Sequence, residues 1–368
     1  MKLHRNAVFA ALCGVTAVTL AACGSGDNVN PPSPPTIAPQ FKATTLVSDG
    51  SATAANIDPN LKNGWGIAFN PTGVMWVSDN NTKKSTLYDG NGVVQSLVVT
   101  IPPNAAGKAA GPTGIVFNKS TDFQISANGG AAANAVFLWA TDAGTIAAWS
   151  PKVLPTQAVN AYDDGAGGAV YKGLAIGVNG GANVLYAADF HNKKVDMFDK
   201  SFNKLQVAGS FSDPNLPAGL SPFGIAAIGS TVYVTYALLG PDGHTQVNGA
   251  GNGVVDAFDT AGNFVKRIAT GATLNSPWGL ALAPANFGAA SNDLLVGNFG
   301  DGTIDVFNPT TGAFAGSLTN TDGTTFKQPG IWGISFGNNF ANQPLNTLFF
   351  AAGPTPTTGV YGRIDVTP

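Results

Sequence analysis

The chain has 368 residues and a formal net charge of −3 at pH 7, and only 11% of its residues are charged, against about 25% in a typical soluble domain. A hydrophobic content of 44% excludes a wholly disordered chain, and the lack of a basic stripe argues against a nucleic-acid partner. With 47 glycines and 24 prolines but no collagen repeat, the composition favours a turn-rich protein with a large core.

The N-terminus predicts an export signal. Lys2 and Arg5 precede an apolar run over residues 7–22, which is shorter than the roughly 20 residues that span a bilayer. The run ends in Leu-Ala-Ala-Cys-Gly around Cys23, which resembles the lipobox of bacterial lipoproteins. The resemblance implies that Cys23 is lipidated and anchors the protein to the cell envelope, on an outer membrane facing the periplasm or at the cell surface. The alternative is an ordinary secretory signal in which Cys23 is incidental.

The next stretch predicts a tether. Residues 24–40 are polar and rich in proline, a composition that buries too little apolar surface to fold. Because Cys13 lies in the signal, the mature chain keeps a single cysteine and forms no internal disulfide, which is consistent with export. The sequence therefore predicts a signal peptide over 1–22, a lipidated cysteine and tether over 23–40, and a folded body over 41–368.

A glycine followed by an apolar triplet recurs through the body at intervals of about 50 residues. The six copies begin at Gly66, Gly114, Gly173, Gly224, Gly279 and Gly333. In the copy over residues 275–318, four short apolar runs are bounded by Gly, Pro, Asn or Asp, which favour turns. A period near 50 built from four strands is typical of propeller blades. The sequence therefore predicts an all-β, six-bladed β-propeller of four-stranded antiparallel blades.

The last blade shows only three strand-like runs, whereas one extra run precedes the first blade. We therefore predict that residues 41–47 join the last blade and pair with residues 360–366, which closes the ring. Long connections are expected at residues 101–110, 153–170, 209–221 and 319–330. They share a face with an enlarged blade-four loop over residues 238–253, and loops carried by a rigid scaffold commonly bind ligands.

These patterns resemble the six-bladed propellers of the NHL-repeat, gluconolactonase and streptogramin-lyase-like superfamily, and within it a group of uncharacterised exported bacterial proteins. The resemblance rests on P-x-G-[IL] strand starts and on strands that begin with Asp. The former lie at residues 112–115, 222–225 and 277–280, and the latter at 142–149, 189–198 and 301–307. It implies the fold over residues 41–368 and says little about activity, because this fold carries many functions.

Aromatic residues precede the repeated glycine in four of the six blades. They are Trp65, Phe223, Trp278 and Trp332, and the other two blades have Thr113 and Lys172 at this position. At the start of the innermost strands, these aromatic side chains are expected to line one end of the channel, where they would stack on a sugar or an apolar ligand. The alternative interpretation is wedge packing between neighbouring blades.

Candidates for catalysis are few. The acidic metal ligands of gluconolactonase-type enzymes have no match at the strand starts, so no metal and no other cofactor is predicted. Streptogramin-lyase-like members use a His with an acid, and His191 and His244 are the histidines beyond the signal. His244 is the better catalytic candidate because its loop is enlarged, and Lys172 is the second. His191 is interpreted as an ordinary loop residue and Asp142 as a turn-stabilising carboxylate.

Two functions fit these residues. The first is a lipid-anchored, monomeric binding or scaffold module that holds a carbohydrate, a small molecule or a partner protein. The scarcity of histidine and the weakly charged composition favour it. The second is a lactonase- or lyase-like enzyme with a site at the channel mouth that includes His244 or Lys172.

Overall fold

The computed structural model describes residues 35–367, which form an all-β propeller of six antiparallel blades. The predicted signal peptide, Cys23 and the tether as far as residue 34 lie outside the described residues. The one helix in the described range is a three-residue 3₁₀ turn, Gly288–Ala290. No helix in this range is therefore long or apolar enough to cross a membrane.

The first two blades follow two N-terminal strands. The N-terminal strands are β1 (Phe41–Ser48) and β2 (Asn56–Ile57). Blade one contains β3 (Gly64–Ala68), β4 (Met75–Asp79), β5 (Lys84–Tyr88) and β6 (Val99–Thr100). Blade two begins with β7 (Pro112–Phe117), followed by a small inserted hairpin of β8 (Gln124–Ile125) and β9 (Ala133–Asn134). It continues with β10 (Phe137–Thr141), β11 (Thr145–Trp149) and β12 (Val159–Asp163).

The other four blades repeat this meander. Blade three contains β13 (Tyr171–Asn179), β14 (Ala182–Asp189), β15 (Lys194–Phe198) and β16 (Lys204–Leu205). Blade four contains β17 (Leu220–Ile228), β18 (Thr231–Leu238), β19 (Gly253–Asp259) and β20 (Phe264–Thr270). Blade five contains β21 (Pro277–Leu282), β22 (Leu294–Asn298), β23 (Ile304–Phe307) and β24 (Phe314–Ser317). Blade six contains β25 (Ile331–Phe336), β26 (Leu348–Thr355) and β27 (Thr358–Val366).

The innermost strand of every blade is the first in chain order, and the later strands follow outward. The six inner strands contact one another in a closed ring that runs β3, β7, β13, β17, β21, β25 and back to β3. Apolar side chains fill the spaces between adjacent sheets. Between blades one and two, for example, Trp76 stacks on Phe137 with ring centres 4.3 Å apart. The predicted six-bladed architecture is confirmed.

The predicted closure of the ring is also confirmed. Strand β1 pairs antiparallel with β27, in a register that runs from Phe41 opposite Val366 to Ser48 opposite Val360. The sheet of blade six then gains a fifth strand that the sequence did not predict. This is β2, which pairs parallel with the end of β1.

The repeated glycines lie where neighbouring inner strands approach most closely. A Cβ atom built on any of the six would come within 3.0 Å of a backbone atom of the next blade's inner strand, a separation that real side chains do not show. The clash partners, in chain order of the glycines, are Thr113, Leu174, Ile225, Trp278, Trp332 and Trp65. The glycine repeat therefore follows from ring geometry, since only hydrogen fits between the strands.

Two segments depart from the expectation. The connection predicted over 153–170 contains β12, the outermost strand of blade two. Its side chains are partly or fully exposed, so no apolar run marks it in the sequence. The tether predicted over 23–40 joins the body before β1, because Ile37 is buried in the core shared by blades five and six.

Candidate functional site

Every inner strand carries a β-bulge at its repeated glycine. In blade one the register against β4 shifts between Gly64 and Ile67, and the other five inner strands shift at the equivalent place. A bulge re-aims the side chains beside it. The six residues that precede the glycines are all buried: Trp65, Thr113, Lys172, Phe223, Trp278 and Trp332.

The four predicted aromatic residues meet in one cluster, which we call the aromatic cluster. Trp65 and Trp332 stack nearly parallel with ring centres 3.5 Å apart. Trp278 lies edge-on to both, at 5.8 Å from each, and Phe223 contacts Trp332 at 5.7 Å. Because side chains from blades one, four, five and six touch, the cluster fills this end of the channel. It is neither an open ring of side chains nor a set of wedges confined to neighbouring blades.

The aromatic cluster fills one end of the channel, whereas the channel contains a cavity towards its other end. Beyond the aromatic cluster, a cavity of about 300 Å³ is lined by residues of all six inner strands that follow the bulge. At the cluster itself, the indole N–H groups of Trp65 and Trp278 are buried and meet no acceptor within residues 35–367. Trp332, by contrast, donates to the Asn63 side chain at 3.3 Å. Two buried donors without partners are costly, and a bound acceptor would satisfy them.

Lys172 completes this end of the channel with a cation. It is 5% exposed, and its Nζ lies 5.1 Å from the ring centre of Trp65 and 6.0 Å from that of Phe190. In the described part of the chain the ammonium group makes no hydrogen bond and no ion pair, so the aromatic faces are its neighbours. Burial lowers the pKa of Lys172 to about 8, Lys108 adds to this effect, and Asp142 and Asp242 oppose it.

The enlarged blade-four loop, between β18 and β19, is fixed in place by a neighbouring blade. His191 of blade three donates from Nδ1 to the backbone oxygen of Gly243 at 2.9 Å. Inside the loop, the carboxylate of Asp242 accepts the N–H groups of His244 and Thr245 at 2.9 and 3.0 Å. His191 is thus a loop residue, as expected, and it contacts the segment that carries His244, which the sequence did not predict.

His244 lies next to a second lysine. Nζ of Lys108, from the connection between blades one and two, approaches Nε2 of His244 at 3.4 Å. An ammonium group only donates, so Nε2 is the acceptor and the ring is neutral. Burial, followed by the charges of Lys172 and Lys108, lowers the pKa of His244. We call this end of the ring the loop face; it carries Lys108, Lys172 and the blade-four loop over residues 239–252.

Asp142 combines two roles. Its carboxylate accepts the backbone N–H of Gly111 at 2.8 Å and the side-chain amide of Asn80 at 3.2 Å. The bond to a backbone N–H group was predicted, but both partners are distant in sequence, so the carboxylate ties the end of β10 to the start of the blade and to blade one and does not stabilise the turn that follows it. Its negative charge also favours the protonated form of Lys172, so Asp142 holds part of the positive charge at the loop face.

The structure brings the two catalytic candidates, Lys172 and His244, to the same end of the propeller as the four predicted ligand-binding aromatic residues. Sequence reasoning missed Lys108, which lies in a connection with no motif. Lysine at a position that is aromatic in four other blades was the available signal for Lys172. The arrangement supplies basic groups from three separate segments above an apolar floor, which suits an anion with an apolar face.

Relatives of the chain are recognisable by sequence. No protein-family model matches the chain. Uncharacterised protein R648 of Acanthamoeba polyphaga mimivirus is 34% identical over 342 residues, which cover 90% of this chain and 82% of the viral protein. The chain belongs to the same family as this protein. A second member, uncharacterised protein L690 of the same virus, is 33% identical over 322 residues, which cover 85% of this chain and 83% of the relative.

Solved structures share the fold at low identity. A streptogramin B lyase structure has a TM-score of 0.53 and 12% identity, covering 89% of this chain and 97% of the lyase. The PQQ-bound aldose sugar dehydrogenase of Streptomyces coelicolor has a TM-score of 0.52 and 12% identity, covering 90% of this chain and all (100%) of that chain. These similarities confirm the resemblance expected from the sequence at the level of the fold. They say nothing about a shared activity.

Proposed function

We propose that this propeller is a binding module that holds a small anionic ligand at the loop face, above the aromatic cluster. The observation that carries the proposal is the largely buried side chain of Lys172, whose ammonium group faces Trp65 and Phe190 and makes no hydrogen bond or ion pair in the described part of the chain. Burying a charge without a partner is unfavourable, and an anionic ligand would supply that partner. Lys108 and His244 lie beside it and provide further donors.

The site also indicates the rest of the ligand. Indole and phenyl faces favour contact with the C–H face of a sugar or with an apolar ring. The unpartnered N–H groups of Trp65 and Trp278 favour a ligand with additional oxygen acceptors. A sugar acid combines these properties, because its carboxylate matches the basic groups and its ring matches the indoles. We therefore propose acidic carbohydrate as the ligand class.

The binding proposal predicts a loss of affinity for Lys172→Met. Titration calorimetry should show that galacturonate binds to the propeller with the unchanged sequence. The affinity of Lys172→Met for galacturonate should be at least about tenfold weaker, because a charge-assisted contact contributes roughly 1.5–3 kcal/mol. Lys42→Met is the matched control, because Lys42 is exposed on β1 and should leave the affinity unchanged. Neutral galactose should bind more weakly than galacturonate. Equal binding of both sugars, or full affinity in Lys172→Met, would contradict the proposal.

A second function is supported by one arrangement, the neutral imidazole of His244 near the buried amine of Lys172. Such a pair is suited to general acid–base catalysis, as in a lactonase- or lyase-like enzyme. Incubation with glucono-δ-lactone distinguishes the two functions. Acid release above the buffer rate that disappears in His244→Ala would replace the binding proposal with an enzymatic one, and a rate equal to that of buffer would leave binding as the function.

We further propose that the propeller is exported and held at the cell envelope by lipid on Cys23. The sequence around Cys23 and the charged, apolar start of the chain support this. Metabolic labelling with a palmitate analogue in a bacterial host should mark the unmodified protein and not Cys23→Ser. Cys13→Ser is the control and should be labelled normally. Labelling that persists in Cys23→Ser, or its absence from all three proteins, would overturn the anchor.

A further inference from the structure

We propose that Lys172 binds its ligand covalently, by forming a reversible Schiff base with the carbonyl group of a small oxo acid. This inference rests on the binding site proposed above and adds the reacting atom, Nζ of Lys172, and the functional group that it attacks. The ligand class narrows to molecules that carry both a carbonyl and a carboxylate. Open-chain forms of sugar acids belong to this class.

The surroundings of Lys172 favour the reactive form of the amine. Only a neutral amine attacks a carbonyl carbon, and lysines become nucleophilic when an apolar pocket or a neighbouring cation disfavours the ammonium form. Both conditions hold, because Lys172 packs on Trp65 and Phe190 and Lys108 adds a nearby positive charge. A pKa of about 8 leaves an appreciable neutral fraction at neutral pH.

Another lysine shows the contrast. Lys204 is held by two carboxylates, with its Nζ 2.8 Å from Asp164 and 2.6 Å from Asp196. Their hydrogen bonds and charges outweigh burial and raise the pKa of Lys204, which keeps the amine protonated. Lys172 has no such partner in the described part of the chain. Of these two lysines, only Lys172 is free to react.

The aromatic cluster also suits the product. A protonated Schiff base carries a positive charge at the same nitrogen, so the face of Trp65 that contacts the ammonium group would also stabilise the iminium. The ligand's carboxylate would then meet Lys108 and His244, which lie 3.4 Å apart. The same site therefore accommodates the free amine, the charged adduct and the acid group of the ligand.

The reaction balances without a cofactor. The nitrogen lone pair attacks the carbonyl carbon, a C–N bond forms, and the carbonyl oxygen takes up a proton to give a carbinolamine. The nitrogen lone pair then expels that hydroxyl group, which takes one proton from solvent and leaves as water, so the C=N bond forms as the protonated Schiff base and nothing is oxidised or reduced. Neutral His244 is suited to accept the proton from nitrogen and return it to the leaving oxygen.

Reductive trapping tests the inference. The propeller is incubated at pH 7 with glyoxylate, the simplest oxo acid, and sodium cyanoborohydride, which reduces the Schiff base to a stable carboxymethyl-lysine. Peptide mass mapping should show modification at Lys172 at least ten times faster than at Lys42 or Lys204. Lys172→Arg keeps the charge but not the nucleophile, and it should lose this fast modification while the other lysines react as before.

A second reagent tests the anion requirement. Propionaldehyde has a carbonyl and no carboxylate, so its preference for Lys172 over Lys42 should be weaker than that of glyoxylate. Lys108→Met should reduce the preference for glyoxylate more than that for propionaldehyde, because loss of the Lys108 charge raises the pKa of Lys172 and slows both reagents, whereas only glyoxylate also loses a partner for its carboxylate. Modification spread evenly over the lysines would overturn the Schiff base. If galacturonate still binds in a Lys172-dependent manner, the binding proposal survives that result, and if it does not, both proposals fail.

Discussion

At the scale of single residues, Lys172 shows a conflict between the stability of the fold and its site. A buried ammonium group loses the favourable free energy of its hydration, and contact with aromatic faces recovers only part of that free energy. The pKa of Lys172 falls from 10.5 to about 8, which corresponds to about 3 kcal/mol at neutral pH, and the contact with Trp65 recovers about 1–2 kcal/mol. A residue that weakens the fold in this way points to a functional requirement.

Replacing the charge should therefore stabilise the protein. Lys172→Met is expected to raise the free energy of unfolding by about 1–3 kcal/mol at pH 7. Because the folded-state pKa lies below that of the unfolded chain, the unfolded chain binds more protons between pH 8 and 10.5. The stability of the unmodified protein thus gains a contribution that rises with pH over this interval, and the advantage of the variant shrinks.

Urea denaturation at pH 7 and pH 10 measures this difference, with Lys42→Met as the control for loss of a surface charge. Besides burial, the groups that set the charge state of Lys172 are Asp142, Asp242 and Lys108, and His244 is a further titratable group on the same face, whose own pKa the charge of Lys172 lowers. A variant that is less stable than the unmodified protein at pH 7 would show that the amine is held by a favourable interaction and not by desolvated packing.

At the scale of strands, the repeated glycine fixes the distance between blades. In blade five, Gly279 and Gly297 lie opposite each other in the ladder between β21 and β22, yet their surroundings differ. A Cβ on Gly279 would collide with the backbone oxygen of Trp332 in blade six, whereas a Cβ on Gly297 would meet its nearest neighbour at 3.8 Å. The two positions form a matched pair within one sheet.

We expect Gly279→Ala to destabilise the propeller by at least about 2 kcal/mol, because the atom that must move is backbone and neighbouring blades cannot separate locally. Gly297→Ala should be neutral or stabilising by roughly 0.5 kcal/mol, since alanine loses less chain entropy than glycine in a strand. Chemical denaturation of both variants gives the comparison. Equal stabilities would show that the inner strands can spread apart.

The strands were largely predictable from sequence because the repeat imposes the same local pattern six times. A strand with a fully buried face, such as β22, carries an unbroken apolar run, and turn residues mark its ends. Strand β12 and the short strand β2 were missed because their side chains are partly or fully exposed. Outer strands are specified mainly by backbone hydrogen bonds to the neighbouring strand, and such bonds do not require a pattern of apolar residues in the sequence.

The site was less predictable than the fold. The repeat predicted the positions of Trp65 and Lys172 in the fold, because both residues precede the repeated glycine of their blades. It did not predict their mutual contact, since that contact depends on the bulge in each inner strand and on the distance across the ring. Lys108 and the bond from His191 to Gly243 come from connections of irregular length, where no periodicity relates sequence to position.

At the scale of the whole molecule, β1 completes the propeller. Phe41, Leu46 and Val47 are buried in it, and together they contribute roughly 5 kcal/mol. A chain that begins at residue 49 should therefore unfold about 10 °C below a chain that begins at residue 35. Calorimetry of the two proteins gives the difference, and a synthetic peptide of residues 35–48 should restore part of it by mass action. Identical melting temperatures would mean that blade six is stable with three strands.

The pairing of β1 with β27 also sets an order of events during synthesis. Among the strands of residues 35–367, the ribosome makes β1 first and its antiparallel partner β27 last, so the edge of β1 stays unpaired until the other strands of the propeller have been made. Translation that stops before residue 358 leaves that edge, and the apolar side chains behind it, available to other nascent chains. Premature termination would then yield a fragment that aggregates through its exposed strand edge, and not a stable propeller with fewer blades. The solubility of the propeller would therefore depend on translation that continues through β27.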